Sequence, residues 1–125
     1  MADSKAALGP LAEADVGEVI IYVRDLPTMK RFYSETLGFR VEADRGRLVA
    51  LTGGAGAQIV LHSGRSDDAV SEPHWLLQII VEDIDKAVAE LKKRGVEVSG
   101  IEDRSYGRYA RFVDPEGNRL GLEQA

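Results

Sequence analysis

The chain has 125 residues, a formal net charge of −5 and no cysteine. That length suits one domain burying roughly two thirds of the surface its unfolded form would expose. The missing cysteine excludes a disulfide framework, a thiolate metal site and a cysteine nucleophile, and the acidic balance disfavours a nucleic-acid surface while suiting a groove for a cationic partner.

Residues 1–15 are rich in Ala and acidic residues, carry Gly9-Pro10 and follow no sustained period, so they read as an N-terminal tail or arm. They lack the basic-then-apolar order of a signal peptide, and no apolar run nears the ~20 residues that span a bilayer. The expectation is a cytoplasmic protein with no membrane partner. Residues 16–125 are expected to form one domain of two modules, at about 17–63 and 74–124.

The first strand, about Gly17 to Arg24, sends Val19, Ile21 and Val23 to a core face and Glu18, Ile20 and Tyr22 to the other. Asp25 suits an N-cap, Pro27 a first turn, and Gly38 the left-handed residue that ends a helix. The spacing predicts a helix over Pro27–Leu37 whose stripe Met29, Phe32, Tyr33, Leu37 packs on the strand. Three short extended runs follow, Phe39–Ala43, Arg47–Thr52 and Ala57–His62, joined by glycine-bearing turns. The cluster Gly53-Gly54-Ala55-Gly56 is no phosphate loop, since it joins strand to strand and lacks the Lys-Ser/Thr such a loop needs. Ser63–Pro73 is polar and breaker-rich and hands over to the second module.

There the order repeats. Trp75, Leu77, Ile79 and Val81 alternate toward a core, Asp83 caps, Ile84, Ala87, Val88 and Leu91 form a helix stripe, and Gly95 stops it. Extended runs near Val96–Ser99, Arg108–Val113 and Arg119–Glu123 follow, the last two joined by the tight turn Asp114-Pro115-Glu116-Gly117-Asn118. The strand ends Val23 and Val81 are offset by 58 (81 minus 23), the helix stops by 57 (95 minus 38), so the second helix is one residue shorter. Two copies of one supersecondary unit, strand-helix-strand-strand-strand, imply a cleft where the copies face each other.

Three motifs carry a resemblance to a known family: VRDLPTMKRFYSETLGF (Val23–Phe39), VEDIDKAVAELKKRGV (Val81–Val96) and YGRYARFVDPEGNRLGLEQ (Tyr106–Gln124). In order and spacing they resemble the vicinal oxygen chelate superfamily of glyoxalases, bleomycin-resistance proteins and ring-cleaving dioxygenases. The resemblance implies an α+β fold of two tandem βαβββ modules forming an open cup-shaped barrel, commonly completed by a dimer partner. It leaves function open, because the superfamily hosts several chemistries and some pure binding proteins. Its metal-dependent members place His, Glu or Gln ligands at four positions that fall here on Glu18, Val60, Leu76 and Gly121. Only Glu18 of these could hold a divalent cation, so the family's metal site is expected to be missing.

The face opposite the core mixes polar and apolar groups: Glu18, Ile20 and Tyr22; Gln58, Val60 and His62; His74, Leu76, Gln78 and Ile80; Arg119, Gly121 and Glu123. One reading is a solvated face of antiparallel sheet. The other is a small-molecule cleft, because Ile20, Tyr22, Val60, Leu76 and Ile80 are many apolar groups for a wet surface. Both histidines lie two residues from a vacated ligand place, as does Glu123. If strands four, five and eight run antiparallel, His62, His74 and Glu123 reach one level and could form a displaced metal site; otherwise they are polar groups of the cleft or its rim. Alternation also sends Tyr109 and Arg111 of the run Arg104, Tyr106, Arg108, Tyr109, Arg111 to the cup rim.

The expectation is thus a protein without metal or other cofactor and with no catalytic residue, resembling the bleomycin-resistance branch, a homodimer that sequesters a planar or cationic small molecule. Glu18, Ile20, Tyr22, Val60, His62, His74, Leu76, Tyr109, Arg111, Gly121 and Glu123 are the candidate binding residues. The alternative is a metal-dependent lyase, isomerase or dioxygenase using His62, His74 and Glu123. A third reading is a structural or regulatory protein whose cup another protein fills.

Overall fold

Strand, helix and three strands occur twice in a computed structural model that describes residues 10, 12, 17–54, 56–65, 76–105 and 107–124. Most of the tail, most of the handover segment, His74, Trp75 and Tyr106 lie outside the described residues. The first unit is β1 (Glu18–Val23), α1 (Leu26–Arg31) continued by a π-helical turn (Phe32–Thr36), β2 (Arg40–Asp44), β3 (Leu48–Thr52) and β4 (Gln58–Ser63). The second is β5 (Leu77–Ile80), α2 (Ile84–Lys93), β6 (Glu102–Arg104), β7 (Gly107–Val113) and β8 (Arg119–Gln124). Each forms an open four-stranded sheet, in the orders β1-β4-β3-β2 and β5-β8-β7-β6. The first and last strands of each unit pair in parallel, the other neighbours antiparallel. This is the expected α+β architecture. No helix among the described residues is long and apolar enough to cross a membrane.

The helix punctuation follows the sequence. Thr28 N–H donates to the Asp25 carboxylate and Lys86 N–H to that of Asp83, both at 3.1 Å. Gly38 and Gly95 each take φ of 87°, where a side chain would strain the backbone.

Two expectations are corrected. The first helix is not one regular helix over Pro27–Leu37: α1 gives way at Phe32 to a π-turn, closed by Leu37 N–H donating to Phe32 O, five residues back, at 2.9 Å. Cap to stop glycine spans 13 steps here (38 minus 25) and 12 in the second unit (95 minus 83). With both ends set by flanking strands, a π-turn absorbs the extra residue. It also releases carbonyls: Arg94 Nη1, beyond the end of α2, donates to Glu35 O at 3.0 Å and Thr36 O at 3.3 Å. The second correction concerns Val96–Ser99, which forms no strand. Ser99 N–H donates to Arg111 O at 2.9 Å, but Arg111 N–H turns to the Ser99 hydroxyl at 2.8 Å instead of a strand carbonyl. That substitution stops the ladder, and the edge strand forms only at Glu102–Arg104.

Both units contribute to one hydrophobic cluster, with Met29, Tyr33, Leu51 and Leu61 from the first and Ile84, Phe112, Leu120 and Leu122 from the second. A polar clasp joins them. The 114–118 turn buries Asp114 at 3% exposure. Its carboxylate accepts from Tyr33 Oη at 2.8 Å, Asn118 Nδ2 at 2.7 Å, and the Glu116 and Asn118 N–H groups at 2.9 Å. Glu116 reaches back and accepts from the Arg24 and Asp25 N–H groups at 2.9 Å, with Arg65 Nη1 at 3.5 Å. Burial, then the Asp114 charge, hold the Tyr33 phenol well above the usual tyrosine range.

Candidate functional site

The helices cover one face of each sheet and leave the other as a candidate site. On the first sheet β1–β4 register places Glu18 beside Gln58, Ile20 beside Val60, and Tyr22 beside His62. The Tyr22 and His62 rings lie 5.2 Å apart, tilted by 48°. His62 Nδ1 sits 2.6 Å from Ser63 O, a bond that needs the proton on Nδ1. Ile20 is 46% exposed and Tyr22 56%, whereas Val60 is buried. Glu18 is exposed, so its charge keeps its water and needs no internal partner.

The second sheet is polar. Gln78, Gly121 and Arg111 form one cross-strand row; Ile80, Glu123, Tyr109 and Glu102 form the next. Gln78 Nε2 donates to Glu123 Oε1 at 3.2 Å, and Tyr109 Oη to Glu123 Oε2 at 3.5 Å. Glu123 thus accepts from two neutral donors. A cavity of about 360 Å³ opens here, lined by Gln78, Ser99, Glu102, Arg104, Tyr109, Ala110 and Arg111. Of the basic run, Arg104 binds Glu102 at 2.6 Å, and Arg108 binds Asp85 and Asp103 at 2.7 Å each on the other side of β7. These carboxylates raise the Arg108 pKa and lower that of Asp85.

Glu18, Ile20, Tyr22, Val60 and His62 thus group on one sheet, and Leu76, Tyr109, Arg111, Gly121 and Glu123 on the other. His74 lies outside the described residues. The residues do not fit the family's metal. Val60 and Leu76 offer no donor, and a Cβ at Gly121 would fall on the Gln78 amide, so a ligating side chain there would have to displace Gln78. The antiparallel arrangement on which a displaced His62-His74-Glu123 site depended is also corrected. β5 and β8 run parallel, with Ile80 beside Glu123, so a step forward on β8 and a step back on β5 diverge along the sheet. Among the described residues no three His, Asp or Glu side chains converge on a point that could hold a metal.

Sequence reasoning placed Gln78 on this face but not among the binding residues, and it missed Ser99, Glu102 and Arg104. The signal for Gln78 was its neighbour: register sets it against a glycine, where a long side chain can lie flat. The other three were hidden by the wrong placement of β6.

A family model described as the Glyoxalase/Bleomycin resistance protein/Dioxygenase superfamily matches residues 15–122. Among solved structures, TnmS3, an antibiotic binding protein from Streptomyces sp. CB03234, is 33% identical, with a TM-score of 0.79 over 92% of this chain and 98% of that one. A glyoxalase/bleomycin resistance protein from the same organism is also 33% identical, with a TM-score of 0.70 over 86% of this chain and 100% of that one. The uncharacterized protein YetH of Bacillus subtilis (strain 168) is 26% identical over 116 residues, 87% of this chain and 97% of that protein.

Proposed function

The chain belongs to the Glyoxalase/Bleomycin resistance protein/Dioxygenase superfamily, and from that premise we propose that it is a metal-free, cytoplasmic small-molecule-binding protein that sequesters a planar or cationic ligand without turning it over. The observation that carries this reading is the filling of the ligand place at Gly121 by the Gln78 amide. Where a metal-dependent member needs a donor, this chain has a glycine and a neighbour lying across it. Val60 and Leu76 extend the same change, replacing donors by apolar floor. The similarity to TnmS3, an antibiotic binding protein, supports sequestration over catalysis.

The ligand lies on the faces opposite the helices. Tyr22 and Tyr109 offer ring faces to a flat or positively charged group, at ~0.5–2 kcal/mol per good contact. Glu18 and Glu123 supply negative charge. We further propose a homodimer, because Ile20 at 46% exposure, Leu76 at 38% and Ile80 at 68% lie on the edge strands or beside them, and a second copy would remove them from water.

Elemental analysis of protein purified without chelator tests the first point: stoichiometric Ni, Zn, Fe or Mn sinks it. Titration with planar cationic and planar neutral fluorophores tests the second. Glu18→Gln is expected to weaken the cationic probes and leave the neutral ones nearly unchanged. EDTA-sensitive turnover of any substrate instead favours the metal-dependent lyase, isomerase or dioxygenase. Light scattering at micromolar concentration tests assembly, a mass near 13.6 kDa counting against the dimer.

A further inference from the structure

Gln78 is an unusual element of the second concave face. Its Nε2 is fixed on Glu123 at 3.2 Å, while its Oε1 lies buried against Gly121. Among the described residues that oxygen is the buried side-chain polar atom left without a hydrogen bond. A buried carbonyl oxygen that accepts nothing has lost its water and gained no replacement, so the resting state carries a penalty that any donor reaching the oxygen would relieve. Turning the amide around would not help, because it would aim the oxygen at the Glu123 carboxylate.

Gly121 makes the arrangement possible. A Cβ at that position would fall on Gln78 Oε1 and come within 3.2 Å of its Cδ, so this bed exists only because the residue is glycine. Gln78 also lines the 360 Å³ cavity, with Tyr109 and Arg111. One flexible side chain is therefore held at the cavity wall by a single bond to Glu123, with an unsatisfied acceptor at its tip.

We propose that Gln78 is a specificity-determining residue of this cavity: on binding, its amide lifts from Gly121 and Oε1 accepts a hydrogen bond from an O–H or N–H on the edge of a planar aromatic ligand. The inference rests on the small-molecule-binding reading and narrows its ligand class to aromatics that carry a ring hydroxyl or ring N–H. Glu123 keeps its bond from Tyr109 while Gln78 moves. A donor on the ligand relieves the resting penalty of Oε1 and so offsets the bond from Gln78 Nε2 to Glu123 that the movement gives up. An equally flat ligand with no donor offers no such return.

Matched probes test this on the full chain: 2-naphthol against 2-methoxynaphthalene, and 1-hydroxypyrene against 1-methoxypyrene, by fluorescence titration. Wild type is expected to favour each hydroxylated probe by roughly tenfold beyond the same pair's ratio of partition into octanol. Gln78→Met keeps the bulk over Gly121 and removes the acceptor; it should erase the preference and leave the methyl ethers within about twofold of wild type. Gln78→Leu serves if the Met variant does not fold. Binding without a preference, or a preference that survives both substitutions, overturns the role of Gln78 while the binding reading stands. Failure of all four probes to bind at their solubility limits overturns both.

Discussion

The sheet faces opposite the helices occupy equivalent places in the two modules and have become opposite surfaces. Ile20 and Val60 are cross-strand neighbours in the first module; adding the repeat offsets (20 plus 58, 60 plus 61) gives Gln78 and Gly121, neighbours in the second. Tyr22 and His62 map in the same way onto Ile80 and Glu123. One module puts an aliphatic pair and a ring pair at these places, the other a long amide on a glycine and a carboxylate. The backbone repeat fixes where side chains meet, and the size of the smaller partner decides what they can do. Beside Val60 the neighbour must stand off, whereas beside Gly121 it can lie down.

The same asymmetry governs how the modules are joined, and there the largest effect is expected. Asp114 maps onto Gly53 (114 minus 61), so only the second module carries the carboxylate that grips its partner. Asp114→Ala would leave the Tyr33 hydroxyl, the Asn118 amide and two backbone N–H groups without their acceptor in a buried place. A loss of about 3–5 kcal/mol in urea denaturation is expected. A change one residue beyond that place in the first module, Gly54→Ala, meets open space and is expected to stay within about 0.5 kcal/mol. Equal losses from the two changes would mean that the clasp is no more than a turn.

How much of this could be read from the chain depends on whether the signal is local. Alternation in β1 and the caps at Asp25 and Asp83 are set by neighbours in sequence, and they appear where expected. The repeat offset revealed an extra residue in the first helix, but its absorption as a π-turn depends on where the strands hold the two helix ends. β6 was misplaced because Ser99 competes with the ladder through its own hydroxyl, a side-chain choice that periodicity does not register. At the site, vacant ligand places could be counted, but parallel pairing of β5 with β8 decides which residues share a level, and pairing is a long-range fact.

A smaller effect isolates one bond of the clasp. Tyr33→Phe keeps the ring in the core and removes its hydroxyl, leaving Asp114 three of its four donors. The expected loss near neutral pH is about 1–2 kcal/mol. Because the folded-state pKa of Tyr33 is raised, this contribution is fully present below the unfolded tyrosine value of about 10 and is lost as pH rises past it. Chemical denaturation from pH 8 to 11 should therefore show the gap between wild type and Tyr33→Phe closing at the alkaline end. A gap that stays constant would mean that the buried phenol does not need its proton to remain folded.

A smaller effect on stability than that of Tyr33→Phe is expected at the position where the two faces differ most. Gly121→Ala puts a methyl where Gln78 Oε1 lies, yet the obstructed group is the tip of a flexible side chain beside a cavity, and Leu76 Cδ2 at 3.6 Å is in ordinary contact. Gln78 can leave by rotating, losing its bond to Glu123 and releasing its own orphaned oxygen to water, so two terms of opposite sign nearly cancel. Ala also restricts the unfolded chain more than Gly does, a gain of about 0.4–1 kcal/mol where the backbone accepts it, as the unstrained φ of Gly121 allows. The net change expected in urea denaturation is under about 1 kcal/mol, of either sign. A loss above about 2 kcal/mol would show that Gln78 is wedged rather than resting on Gly121, and that the second face is as rigid as the Ile20–Val60 pair opposite it in the repeat.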